Sequence, residues 1–160
     1  MSTEAKIETS WLQQLLGDWT YEFSTAANSE VPGATATGTE KVWAVGGTWI
    51  VAENKGNGSD GNPTHSVVTL GFDSARGRFQ GVHAGTMAPV LFHFDGELGE
   101  KGKALLLMTE GPALSDDRAT DKYRDILRMN DANHREQVSQ VLDEHGNWLE
   151  FMSTRYTRKV

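Results

Sequence analysis

The stretch Ser10-Trp11-Leu12-Gln13-Gln14-Leu15-Leu16-Gly17-Asp18-Trp19 decides how the rest of the chain is read. Ser10 stands where a helix N-cap belongs, and Gln13 follows at the capping-box spacing. Trp11, Leu12, Leu15 and Leu16 recur at the helical period, and Gly17 is suited to end the helix. The spacing predicts a short helix over Ser10–Leu16, with residues 1–9 as a flexible lead. After Trp19 the pattern changes to period two, and no second helix is expected. One small helix running into a strand meander suggests a barrel with a plug at one end.

From Asp18 onward, alternating runs between turn residues predict about ten strands. They lie near Asp18–Thr25, Thr37–Val45, Thr48–Lys55, Thr64–Phe72, Arg78–Thr86, Val90–Glu97, Lys103–Glu110, Asp121–Met129, His134–Leu142 and Trp148–Arg158. Gly46-Gly47 is a two-residue hairpin signal, since glycine takes positive φ at both central positions without strain. Longer connections are Ala26–Ala36, Gly56–Pro63 and Gly111–Thr120. Short turns between successive strands imply antiparallel up-and-down pairing, because parallel neighbours need long crossovers. A flat sheet of this size exposes two long edges, and closure removes both. The expected fold is all-β: an antiparallel up-and-down barrel in a single domain over 1–160, with a two-sheet sandwich as the competing architecture.

The chain has 160 residues, no cysteine and a net charge of −7 from 22 acidic and 15 basic residues. A domain of this length buries about 70% of its unfolded surface, so no disulfide or structural metal is required. Without cysteine, thiol catalysis, zinc–cysteine sites and thiol redox switching are excluded. The acidic balance argues against nucleic acid or an anionic membrane as a partner. The polar start lacks the apolar core of a signal peptide, and no run approaches the roughly 20 apolar residues of a membrane span. The expectation is a cytoplasmic protein.

Gly17-Asp18-Trp19 after a short helix resembles the entry into the first strand of the lipocalin-like superfamily, the calycins. There a basic residue of the last strand packs across the tryptophan, a role the resemblance gives to Arg155 or Arg158. Further motifs follow: Gly46-Gly47 before Trp49, Leu70-Gly71-Phe72-Asp73, Phe79-x-Gly81, Asp95-Gly96 and Glu110-Gly111-Pro112. Tyr123-Arg124-Asp125 and Trp148-x-x-Phe151-Met152 with Tyr156-x-Arg158 complete the series. In that order they resemble bacterial proteins of domain of unknown function 1579, from about Leu12 to Lys159. The resemblance implies a lipocalin-like barrel and assigns no activity. Fatty-acid-binding proteins, a neighbouring barrel family, hold a carboxylate with Arg-x-Tyr in the last strand, and Arg155-Tyr156-Thr157-Arg158 departs from that spacing. Nitrobindin-like barrels bind haem through a histidine, whereas His134 and His145 fall in or beside turns. No cofactor is expected.

Gly56-Asn57-Gly58-Ser59-Asp60-Gly61 spells the dinucleotide fingerprint, but a helix must follow for its N-terminus to meet the pyrophosphate. Asn62-Pro63 and a β-rich run follow instead, so the segment reads as a loop. The histidines offer more. If Thr86 pairs with Val90, His83 faces His93 on one side of the sheet, with His65 diagonal to His83 and Glu110 near. Three imidazoles so placed suit a metal ion or proton transfer. Separate histidines with ordinary hydrogen bonds in a metal-free barrel are the plainer reading. A one-residue slip would turn Phe92 and Phe94 inward and His93 outward. Tyr123, Asp125, Leu127 and Met129 share a strand face opposite Arg124 and Arg128, which places Tyr123 and Asp125 inside. A buried carboxylate needs a partner, such as a last-strand arginine, or a raised pKa that equips it as an acid or base.

These residues support a barrel that binds a small, largely apolar molecule among Trp49, His83, His93, Met108, Glu110, Tyr123, Met152 and Tyr156. The alternative is an enzyme that performs isomerisation, cyclisation or hydrolysis in the same cavity, with His83 as proton carrier and Asp125 or Glu110 as supporting carboxylate. A further alternative is a filled barrel acting through a protein interface, for instance as a homodimer.

Overall fold

The computed structural model describes residues 3–26 and 33–160. Residues 27–32, in the expected Ala26–Ala36 connection, and the first two residues of the 1–9 lead lie outside the described residues. One helix, α1 (Thr3–Gln13), precedes ten strands. These are β1 (Gly17–Thr25), β2 (Thr35–Val45), β3 (Trp49–Asn57), β4 (Pro63–Asp73) and β5 (Arg78–Gly85), then β6 (Phe92–Leu98), β7 (Ala104–Pro112), β8 (Thr120–Asp131), β9 (His134–Leu142) and β10 (Trp148–Arg158). Each strand pairs antiparallel with its chain neighbours, and β1 meets β10 to close the barrel. All ten fall close to their expected positions, because alternation between a filled interior and a wet exterior marks each strand independently.

The helix starts earlier than Ser10. Lys6 and Glu8 are good helix formers and extend the element toward the start of the chain. The segment read as a flexible lead therefore carries most of α1. Ser10 lies inside the helix and caps nothing. Past Gln13 the chain tightens: Gln14, Leu15 and Leu16 donate their amides three residues back, to Trp11, Leu12 and Gln13 at 3.0 to 3.3 Å. Gly17 then turns with φ +119° into β1.

This turn sets Leu12 (0% exposed), Trp11 and Leu15 against Trp19, Val42, Ile50, Leu70, Phe72 and Phe79. Together they form the floor of the barrel. The Trp19 indole donates to the Leu15 carbonyl at 2.9 Å. Arg158, from the end of β10, lies 4.1 Å from the centre of the Trp19 ring and donates to the carbonyls of Leu16, Gln14 and Ala132. A guanidinium on the last carbonyls of a helix satisfies groups that have no partner within the helix. Of the two arginines the resemblance offered for this role, Arg158 fills it.

A second arginine stands above the same tryptophan. Arg135 of β9 has its guanidinium 4.6 Å from the Trp19 ring centre and 3.6 Å from that of Tyr156, and it pairs with Glu40 of β2. Both members of the pair are buried. Removing one partner from a buried ion pair costs about 3–5 kcal/mol, because the other is left uncompensated. Arg135→Met is therefore expected to lower unfolding free energy by about that amount, and Glu40→Leu added to it is expected to recover most of the loss. Urea unfolding of the single and double variants measures this, and additive losses would show that the two side chains act separately.

Candidate functional site

From floor to mouth, the inward positions of the strands change character. β3 presents Ile50, Ala52, Asn54 and Gly56, and β5 presents Phe79, Gly81, His83 and Gly85. β7 presents Leu105, Leu107, Thr109 and Gly111. β8 runs the other way and presents Met129, Leu127, Asp125 and Tyr123, while β9 presents Arg135, Gln137, Ser139 and Val141. An apolar floor thus gives way to a polar belt halfway up. Ile50, Leu70, Phe79, Leu105 and Leu107 are buried, whereas Asn54, Ser66, Val68, His83 and Thr109 face inward and still keep accessible surface. The barrel is tightly packed below and less completely filled above.

Asp125 makes the point by itself. It faces inward on β8 and is half-buried, whereas Tyr156 is 7% exposed. An inward side chain that keeps accessible surface is incompletely covered by its neighbours. The Ser139 hydroxyl donates to Asp125 Oδ1 at 2.6 Å, and among the described residues no cation bonds the carboxyl. Burial pushes its pKa from the ordinary 3.8 up to about 6, and the Ser139 bond pulls against that rise. The partner anticipated from the last strand is absent because Arg158 is engaged at the floor and Arg155 is exposed. His83, on β5, is shifted below its ordinary value by burial, so its imidazole is neutral at neutral pH. Its ring meets Phe92 edge-on, with centroids 6.1 Å apart. Two strands, β6 and β7, separate it from Asp125.

The other candidates divide between the two faces. Tyr123, Met152 and Tyr156 face inward, and the Tyr123 hydroxyl donates to the Pro112 carbonyl. Trp49, His93, Met108 and Glu110 face outward. Ile50 and Ala52 take the inner positions of β3, so Trp49 (41% exposed) lies outside, its ring covering Gly71. His83 pairs with Phe92 rather than His93, because the slipped register turns Phe92 and Phe94 inward, burying Phe94 and half-burying Phe92, and leaves His93 exposed with Asp95. Leu107 and Thr109 likewise turn Met108 and Glu110 outward, where Glu110 accepts from Thr120 at 3.2 Å. His65 is also outside and bonds Glu53 at 2.9 Å. His65, His83 and His93 therefore do not converge, and among the described residues no three metal-ligating side chains do.

Tyr21, Glu40, Asn54, Thr109, Arg135 and Ser139 enter the interior unforeseen. Their strand parity carried the signal: Glu40 shares a face with Val42, and Arg135 and Ser139 share one with Val141. Tyr21 lies against the wall where Gly38 and Gly56 have no side chains, and a Cβ at either glycine would strike its hydroxyl.

The mouth has its own character. The connections 58–62, 86–91, 113–119 and 143–147 all lie there, opposite α1. They or the strand ends beside them expose Met87 (79%), Val90, Leu91, Leu114 and Leu149.

Asp125 ties this interior to stability. The carboxyl ionises near 3.8 in the unfolded chain and near 6 in the fold. Between those values the folded state holds the extra proton, so stability falls as pH rises through the interval, by at most about 3 kcal/mol. Asp125→Asn keeps an acceptor for Ser139 and removes the titration. It is expected to raise stability at neutral pH and to flatten the fall between about pH 4 and about pH 6. Urea unfolding across that range tests it, and an unchanged slope would mean that Asp125 titrates as an ordinary carboxyl.

Comparison with solved structures agrees with the barrel. The crystal structure of Rv2717c from M. tuberculosis is similar at 12% identity and a TM-score of 0.64, covering 100% of this chain and 99% of that one. The S-type phycobiliprotein lyase CPES from Guillardia theta is similar at 14% identity and a TM-score of 0.62, covering 98% and 97%. The protein EF1p2_mFAP2b, solved bound to DFHBI, is similar at 11% identity and a TM-score of 0.52, covering 95% and 99%. At these identities the likeness is one of fold. No curated protein sequence matches the chain. The motifs running from α1 to Arg158 have a counterpart in sequence: the model of the DUF1579 family, proteins of unknown function, matches residues 4–158, and the chain belongs to that family.

Proposed function

We propose that this chain is a calycin-type binding barrel that holds a small, largely apolar molecule in the half of its interior away from α1. The observation that carries the reading is the accessible surface on inward-facing side chains above a sealed floor. Water in such a hollow is released when an apolar body enters, and the aromatic and methionine side chains around it, Phe23, Phe92, Phe151 and Met152, are suited to receive that body. The exposed apolar rim formed by Met87, Leu91, Leu114 and Leu149 fits an entrance for such a molecule. The protein EF1p2_mFAP2b, of similar fold, was solved bound to the small molecule DFHBI, so a barrel of this form has room for one. The net charge of −7 disfavours nucleic acid as a partner, the family resemblance supports a bacterial source, and the lack of cysteine fits a cytoplasmic setting. No described helix is long and apolar enough to cross a membrane.

Acid–base catalysis in the same hollow has one observation in its favour, a carboxyl at Asp125 with a pKa of about 6. The neutral His83 stands two strands away, so the two groups would act on opposite parts of a substrate rather than as a bonded pair.

The binding reading predicts that a neutral apolar fluorophore is taken up and raises the melting temperature in proportion to its concentration. Ser66 faces the hollow near the mouth, opposite Gly85 of β5. Ser66→Phe is expected to weaken uptake by about tenfold or more while leaving the floor and its stability in place. Uptake unaffected by Ser66→Phe would place the probe elsewhere, and no uptake by the native chain would end the proposal.

A further inference from the structure

The charges inside the barrel do not balance. Glu40 and Arg135 neutralise one another at the floor. Arg158 is held by three carbonyl oxygens, and Asp121 near the mouth is paired with Arg118 at 2.5 Å. His83 is neutral. Asp125 remains, with a single neutral donor in Ser139.

Its unpartnered neighbour on the inner face is a hydroxyl, not a cation. Thr109 pairs with Tyr123 and stands diagonally beside Asp125 on the same inner face. Thr109 Oγ1 is buried and without a partner; so is Asn54 Oδ1, but on β3, across the barrel from Asp125. The Tyr123 hydroxyl spends its proton on Pro112. Arg135 Nε also lacks an acceptor, but it is stacked between the rings of Trp19 and Tyr156 at the floor. The belt therefore offers a hydroxyl that can donate or accept and one carboxyl without a counter-charge to whatever enters. A ligand that covers the carboxyl must offer it hydrogens, since a buried charge left unpaired is costly.

We propose that the barrel selects molecules bearing a protonated amine on an apolar body, with Asp125 as counter-charge and Thr109 as a neighbouring acceptor. The inference rests on the small-molecule reading above and names the class of head group. A carboxylate head would face Asp125 with no free guanidinium to receive it, so fatty acids are the wrong class for this chain. A neutral alcohol can donate one hydrogen bond and leaves the charge uncompensated.

Three molecules with one body and different heads test this: decylamine, decanol and decanoate, titrated calorimetrically below their micellar concentrations at neutral pH. Decylamine is expected to bind about tenfold or more tightly than decanol, with decanoate weakest. Asp125→Asn is expected to bring decylamine down to the affinity that decanol has for the same variant, erasing the preference for the amine. The comparison of heads on the native chain needs no variant to fold. Decanoate binding as tightly as decylamine, or an amine preference that survives Asp125→Asn, would overturn the inference and leave the binding barrel standing. Binding of none of the three would remove both.

Discussion

The guanidinium of Arg135, stacked between Trp19 and Tyr156 and paired with Glu40, is the contact on which the rest of this barrel depends. It joins β9 to β1, β2 and β10, the region where the first and last strands meet. A chain closing a barrel must bring its two ends together at a loop-closure cost, and nothing local enforces that meeting. Arg135 and Arg158 press on the same indole ring from the end of the chain. The indole in turn holds the helix through the Leu15 carbonyl. Closure of the seam and sealing of the floor are thus one event.

Division of labour follows from that joint. The floor carries the continuous apolar packing, so the upper strands are released from the need to fill their interior. Asp125, Asn54 and Thr109 can then be tolerated as incompletely satisfied groups, each at some cost to stability. Such costs persist in folded proteins mostly where a site uses them, which is the physical basis for reading the belt as a recognition surface.

The barrel was legible because period-two alternation is local and repeats ten times, so an error in one strand does not spread. The helix boundary was harder: Ser10 has the chemistry of a cap, yet the helix-favouring residues before it extend the element back to Thr3. Register across the β5–β6 connection turned on one residue. The segment 86–91 is too long to fix pairing by turn geometry, and the hydrophobic faces of Phe92 and Phe94 decided it. Asp125 inside the barrel followed from its neighbours Tyr123 and Leu127. Glu40 and Arg135 did not, because charged residues are read as surface unless a partner is in view, and these two are 95 positions apart. Trp49 shows the reverse error, a large aromatic assigned to the interior that instead shields backbone from outside.

The gradient from packed floor to open mouth also orders the motions of the molecule. Local opening is easiest where few apolar contacts must be broken, so the strand ends and loops around the mouth will fluctuate long before α1 leaves Trp19. Amide protons of the lower strands will exchange only with global unfolding, while those near Gly85, Gly111 and Leu142 will exchange through small excursions. A guest would then enter through the breathing of the wall itself, and the barrel would have no need of a separate lid.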